Sequence, residues 1–271
     1  MKTVRIGIIG AGFLARTRVR CYRQVAGYDV QIVAVAASTP ASAQKFADAH
    51  GIPQALGDYH ALLADPTIDV VDLCVPNHLH REATEAAERT GKHIICTKPL
   101  TAYVGQDAAP DAPIGETPRS EMLRVALADA DAMNRAAQDA GVQLMYGENW
   151  LYAPSITRAE GLIAATDGYI LEMRGGECHS GSHSPFSRRW RNAGGGALIQ
   201  LGAHPIGAML HLKQREGIAR NGQPIRPVSV MAEVGDTSRI APLEQSWVAT
   251  GWEDVENWAA LIITFADGSR G

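Results

Sequence analysis

Aromatic residues are scarce, 6% of 271 positions, and there are only four cysteines, Cys21, Cys74, Cys96 and Cys178. They are widely separated and form no Cys-x-x-Cys pair. That argues against a disulfide framework and for reduced thiols in a cytoplasmic compartment. No apolar run approaches the ~20 residues that a membrane-spanning helix needs. The N-terminal stretch Val4–Ile9 is apolar, but Arg5 and the glycines up to position 12 interrupt it, and no small-residue cleavage site follows. It is expected to be a buried strand and not a secretory signal. Charge of one sign is also missing: 25 basic against 29 acidic residues leave a net −4, so no electrostatic pull toward nucleic acid or an anionic membrane is expected. What is present is ordinary for a globular chain. With 46% apolar and 20% charged residues, wholesale disorder, a collagen repeat and a coiled-coil rod are excluded. The length suits one large domain or two modest ones.

The first half alternates short apolar runs with helical stretches. Strands are expected at Val4–Ile9, Val30–Ala37, Asp69–Val75, His93–Cys96 and Val142–Tyr146. Helices are expected at Phe13–Ala26, Pro40–His50, Leu79–Thr90 and Glu121–Ala140. Continuous apolar strands separated by such helices indicate a parallel sheet covered on both faces. Tyr103–Ser120, with three prolines and no periodicity, reads as a long surface loop inserted in this half. The division expected is 1–147, with that loop, and 148–271.

After Trp150 the pattern changes. Tyr169–Cys178, Val228–Val234 and Trp258–Phe265 read as strands, and Gly194–Gly196 opens a helix running to Leu212. A smaller α+β domain with a more antiparallel sheet is implied. Asp267-Gly268 is a hairpin turn signal with only three residues after it. An unpaired edge on the last strand is therefore expected, covered by further chain or by another molecule.

Gly10-Ala11-Gly12-Phe13-Leu14-Ala15 fits G-x-G-x-x-A between an apolar strand and a helix, the context in which this pattern binds a dinucleotide. Gly10 permits the tight turn, Gly12 lets the backbone approach a pyrophosphate, and Ala15 permits close helix–strand packing. The amides at the helix start, from Phe13 and Leu14, attract negative charge. The second strand ends in Ala37-Ser38-Thr39. No carboxylate there excludes a 2′-phosphate and no arginine attracts one, while Ser38 and Thr39 suit either form, so NAD and NADP both remain open.

Three later motifs specify more. Cys74-Val75-Pro76-Asn77-His78-Leu79-His80, Cys96-Thr97-Lys98-Pro99-Leu100 and Gly194-Gly195-Gly196-Ala197-Leu198-Ile199-Gln200-Leu201-Gly202-Ala203-His204 follow the glycine loop in order. The set resembles the Gfo/Idh/MocA family, the glucose–fructose oxidoreductase and inositol dehydrogenase group, over nearly the whole chain. The resemblance implies an N-terminal Rossmann domain for a nicotinamide cofactor and a C-terminal domain with an open, mostly antiparallel sheet. That sheet commonly serves as pocket wall and homo-oligomer interface. It also implies hydride exchange with a secondary alcohol or ketone of a sugar, cyclitol or related polyol. By position, Pro76, Asn77 and His80 belong to the cofactor side, with Lys98 and Pro99 near the nicotinamide ribose. Lys98 and His204 face the reacting carbon. Two positions depart from the family pattern: its glutamate before the lysine is Thr97, and its aspartate four residues before the histidine is Gln200. Gln200 is expected among the substrate contacts, where it can hydrogen-bond but cannot take a proton.

Alcohol oxidation needs a base for the hydroxyl proton and a donor near the oxygen. His204 is assigned the first role and Lys98 the second, with the reverse kept open. Glu148, Asn149, Trp150 and Tyr152 follow a strand and are candidate sugar contacts, Trp150 and Tyr152 by stacking. Glu177-Cys178-His179-Ser180-Gly181-Ser182-His183 is a polar cluster. Its glycine and serines argue against a helix that would converge the histidines on a metal. His179 and His183 are therefore read as substrate contacts, with no metal assigned. Trp190, flanked by Arg188, Arg189 and Arg191, reads as a solvated basic turn or a pocket wall. Two further readings stand beside the dehydrogenase: tightly bound NAD used for transient sugar oxidation in a lyase- or glycosidase-type reaction, and a non-catalytic nucleotide- or sugar-binding subunit or sensor.

Overall fold

Six apolar segments of the first half pair into one parallel sheet: β1 (Lys2–Ile9), β2 (Tyr28–Ala36), β3 (Gln54–Leu56), β4 (Val70–Leu73), β5 (His93–Thr97) and β6 (Leu144–Gly147), in the order β3-β2-β1-β4-β5-β6. The computed structural model describes residues 1–179, 184–237 and 254–271. Alternating side chains enter opposite faces. Ile8 joins Val19, Val35 and Phe46 in one cluster, while Ile9 joins Leu62, Leu73, Ile94 and Met133 in the other. Both faces are covered, so the strands carry no polar alternation. Helices α1 (Phe13–Tyr22), α2 (Pro40–His50), α3 (Tyr59–Leu63), α4 (His80–Glu88) and α5 (Arg119–Ala140) connect the strands. Thr39 caps α2, its hydroxyl accepting the Ser42 amide at 3.2 Å, and Gly51 ends that helix in the left-handed region.

The strand order reverses between β1 and β4, and in such sheets ligands gather outside the carboxyl ends at that point. Asp72, fully buried in β4, ties α1 beneath it. The Tyr22 hydroxyl donates to its Oδ2 at 2.5 Å, and Arg18 Nε stands 3.5 Å from the same oxygen. Burial raises the Asp72 carboxyl, with Arg18 and Tyr22 opposing that rise. A polar knot of this kind inside an apolar face holds a helix in one register.

The chain divides into two units, Met1–Ala102 with Pro118–Gly147, and Tyr103–Thr117 with Glu148–Gly271. The stretch expected as a surface loop of the first half is thus shared out differently. Tyr103–Thr117 belongs to the second unit, where Tyr103 and Ile114 are buried. Trp190 is the cause. It is buried, its indole N–H donates to the Tyr103 carbonyl at 2.9 Å, and its ring lies against Gly115, so it is an internal anchor and not a solvated turn.

The second unit contains α6 (Pro154–Thr166), α7 (Trp190–Ala193), α8 (Ala203–Asn221) and the antiparallel pair β7 (Pro227–Gly235) and β8 (Trp258–Phe265). Two expectations are corrected here. Tyr169–Cys178 is not a strand: one bridge, at Glu172, joins it to Arg270, and Gly175-Gly176 follow. The expected helix to Leu212 begins as a π-helical turn, Leu198–Gly202, and continues through α8 to Asn221. The turn at Asp267-Gly268 forms, with Gly268 at φ +89. Contrary to expectation, the edge of β8 is met there: Ile263 and Gly271 exchange backbone hydrogen bonds at 2.7 and 2.9 Å. Among the described residues no helix is long and apolar enough to cross a membrane.

Candidate active site

The glycine loop is pinned from both sides. The Gly10 amide donates to Ala36 O of β2 at 2.8 Å, and the Cys74 amide donates to Ile9 O at 2.8 Å. Gly10 has φ +109, and a Cβ there would stand 2.3 Å from the Cys74 carbonyl oxygen, so no larger residue fits. Gly12 is the N-cap of α1; a Cβ on it would meet nothing within 4 Å, so the space before it is open. No side chain caps α1 and no acid stands in its first turn. The first-turn amides of Phe13 and Leu14 therefore keep their positive ends for an anion. Ala15 is fully buried against the sheet. This donor set, with its cleared approach, fits the pyrophosphate of a dinucleotide.

Around the loop the expected cofactor residues divide. Pro76 and Asn77 lead from β4 into a 3-10 turn, Asn77–Leu79. His80 is buried, with Nδ1 2.9 Å from Pro99 O and Nε2 3.3 Å from Val75 O. Burial lowers its tendency to protonate, against the carbonyls that raise it. Both ring nitrogens are committed to backbone, so His80 ties the segment after β4 to the Lys98-Pro99 segment after β5. Lys98 directly follows β5 at the carboxyl edge of the sheet. Thr39 spends its acceptor on capping α2, and Ser38 is exposed beside it.

In the second unit three of the expected residues come together. Glu148 follows β6, fully buried, and its Oε1 lies 2.6 Å from His204 Nδ1. The same oxygen accepts the Trp150 amide at 2.9 Å. The Trp150 indole stacks on the His204 ring, centroids 5.4 Å apart and planes 12° from parallel. Glu148 and Trp150, expected as sugar contacts, are thus partners of the histidine. Asn149 and Tyr152 are exposed, Tyr152 by 76%. Gln200 points elsewhere: its amide donates to Ser187 O at 2.9 Å and Gly195 O at 3.1 Å.

The glycine run before His204 has a steric origin. A Cβ on Gly196 would stand 1.7 Å from the Glu256 carbonyl oxygen. The buried Glu256 carboxylate accepts the Gly196 amide at 2.7 Å and the Leu198 amide at 3.1 Å, capping the helix that carries His204. Sequence reasoning missed Glu256; an acid 52 residues beyond His204 has no local signal.

A cavity of about 850 Å³ in the same unit is lined by 171–179, by β8 residues and by Leu198, Pro205 and Met209. His179 lines it, whereas Glu148, Trp150 and His204 do not. His183 lies outside the described residues. Among the described residues no three His, Cys, Asp or Glu side chains gather as metal ligands.

Comparison with known proteins agrees with this geometry. Residues 4–109 match the GFO_IDH_MocA family model, an oxidoreductase family with an NAD-binding Rossmann fold. Levoglucosan dehydrogenase of Pseudarthrobacter phenanthrenivorans is 28% identical over 287 aligned residues, covering 100% of this chain and 67% of that protein. The 1,5-anhydro-D-fructose reductase of Ensifer adhaerens is 30% identical, covering 74% of this chain and 54% of its own length. A solved levoglucosan dehydrogenase in complex with NADH superposes with a TM-score of 0.70 at 25% identity, covering 100% of this chain and 66% of that one. The chain therefore spans about two thirds or less of these relatives. The glycine cradle at the sheet's reversal point, the motif order after it and these likenesses together identify residues 4–109 as an NAD-binding Rossmann domain of the Gfo/Idh/MocA oxidoreductase family.

Proposed function

We propose that the chain takes part in hydride exchange between NAD or NADP and a secondary alcohol or ketone of a sugar, cyclitol or anhydrosugar. The observation that carries the reading is His204. It is a nearly buried imidazole held at Nδ1 and stacked on Trp150, and its Nε2 makes no hydrogen bond among the described residues. The relatives named for levoglucosan and 1,5-anhydrofructose favour a cyclic polyol as substrate. Gly10, Gly12 and the first-turn amides of α1 would hold the pyrophosphate of a nicotinamide dinucleotide, which would supply the hydride acceptor or donor. His204 Nε2 takes the carbinol O–H proton, whose bonding pair closes the C=O as the carbon's hydrogen departs with its electrons. The Lys98 ammonium stabilises the developing alkoxide. The four cysteines are unbridged, which supports a reducing, cytoplasmic compartment. The exposed face of β7–β8, with Met231 75% and Ile262 53% exposed, supports self-association.

The test is the appearance of reduced nicotinamide when the protein is given NAD or NADP and a panel of polyols and anhydrosugars. Lys98→Ala and His204→Asn are each expected to lower kcat by ~10²-fold or more while the cofactor still binds. Full turnover in both variants would remove the assignment. Cofactor binding with no conversion of any panel member points to the sensor reading. Sugar cleavage without net nicotinamide reduction points to the transient-oxidation reading.

A further inference from the structure

The family pattern places an aspartate one helical turn before the histidine, and this chain has Gln200 there. Its amide is bound to the carbonyls of Ser187 and Gly195. The carboxylate that meets His204 arrives from 56 residues earlier, at the end of β6. Three observations make Glu148 a built partner and not a chance contact. It is fully buried, so its carboxylate has left water, at a cost that only specific partners offset. One oxygen gathers both the His204 ring and the Trp150 amide, while Oε2 has no hydrogen-bond partner. Room for it is made by Gly207, one turn along α8, where a Cβ would come within 3.1 Å of Glu148 Cγ.

We propose that Glu148 is the positioning residue of His204, taking the place of the carboxylate missing at position 200. It accepts the Nδ1–H bond, which fixes the tautomer whose Nε2 lone pair is available, and it balances the imidazolium formed when Nε2 takes a proton. Trp150 holds the plane of the ring by stacking, and its amide holds the carboxylate. The role of Glu148 rests on the assignment of His204 as acid–base group made above. It moves the charged end of the proton path from a helix turn to a strand end, so Gln200 is free of any proton-transfer duty.

The test is nitrogen-15 NMR of the imidazoles in the whole protein, with the His204 signals identified by their loss in His204→Asn. The neutral ring is expected as the Nδ1–H tautomer, reverting toward Nε2–H in Glu148→Ala. In Glu148→Gln, which keeps the shape and removes the charge, kcat is expected to fall by ~10²-fold or more with KM within about threefold. An Nε2–H tautomer in the unmodified protein overturns the proposal without any variant, and so does a Glu148→Gln protein with full kcat. Full turnover in His204→Asn would sink the acid–base reading instead, leaving the tautomer to decide the contact. If the protein shows no turnover at all, the NMR result alone decides it.

Discussion

Single residues decide the chemistry, and their neighbours were only partly visible in order of sequence. Gly10 was legible because its requirement is local: a positive φ and a close approach by the next strand but two. Gly10→Ala is expected to cost more than ~1 kcal/mol in denaturant unfolding and to abolish nucleotide binding by calorimetry. His204 was legible through its motif, but its carboxylate was not. The residues between Glu148 and His204 contain nothing that indicates their contact. Gln200 lacks the carboxylate of the family pattern, and the acid that meets His204 stands on another element. Conversely, Thr39 and His80 carry names suited to ligand binding yet spend their hydrogen bonds on a helix cap and two carbonyls.

At the scale of elements, two carboxyl groups give opposite pH responses. Glu88 closes α4 with both carboxyl oxygens buried and unpartnered, and burial, helped by Glu85, raises its pKa from 4.5 to about 7. The folded state thus keeps a proton that the unfolded chain releases. The stability from this group is full below about 4.5 and is lost as pH rises through about 7. Glu88→Gln is expected to flatten the decline in thermal midpoint across that window; an unchanged decline would discard this account. In the second unit, Lys213 is fully buried and donates to Glu216 at 2.6 Å and Asp267 at 2.8 Å, locking α8 to the turn after β8. Burial of Asp267 is outweighed by Lys213 and Ser269, which hold its carboxyl down at about 2. Its contribution is present above the ordinary carboxylate range and is lost as pH falls toward about 2. Lys213→Ala strips Glu216 of a buried partner. It is expected to destabilise by ~3 kcal/mol in denaturant unfolding, with Arg220, 2.7 Å from Glu216, limiting the loss.

At the scale of the whole molecule, ligand linkage gives a direct check. NAD or NADP at one hundred times its dissociation constant is expected to stabilise the unit that binds it by ~2.7 kcal/mol, read as a raised thermal midpoint. Absence of any rise with either nucleotide would contradict the open cradle at Gly12. Met231 and Ile262 lie opposite each other on the face of β7–β8 turned away from Ile263. Under the proposed self-association through this face, a Met231→Lys, Ile262→Lys double variant is expected to lower the mass read by light scattering, because two charges would be buried without partners. Sequence by itself determined the alternation of strands and helices in the first unit apart from the short β3 and α3, the turn at Gly10 and the motif order. Each of these rests on interactions between neighbours in the chain or on a period of apolar residues. Tertiary structure alone decided that Tyr103–Thr117 joins the second unit, that Glu256 caps the helix before His204 and that Glu148 supplies its carboxylate. Those contacts join residues dozens of positions apart, and burial makes such pairs specific without leaving any periodic trace in the sequence.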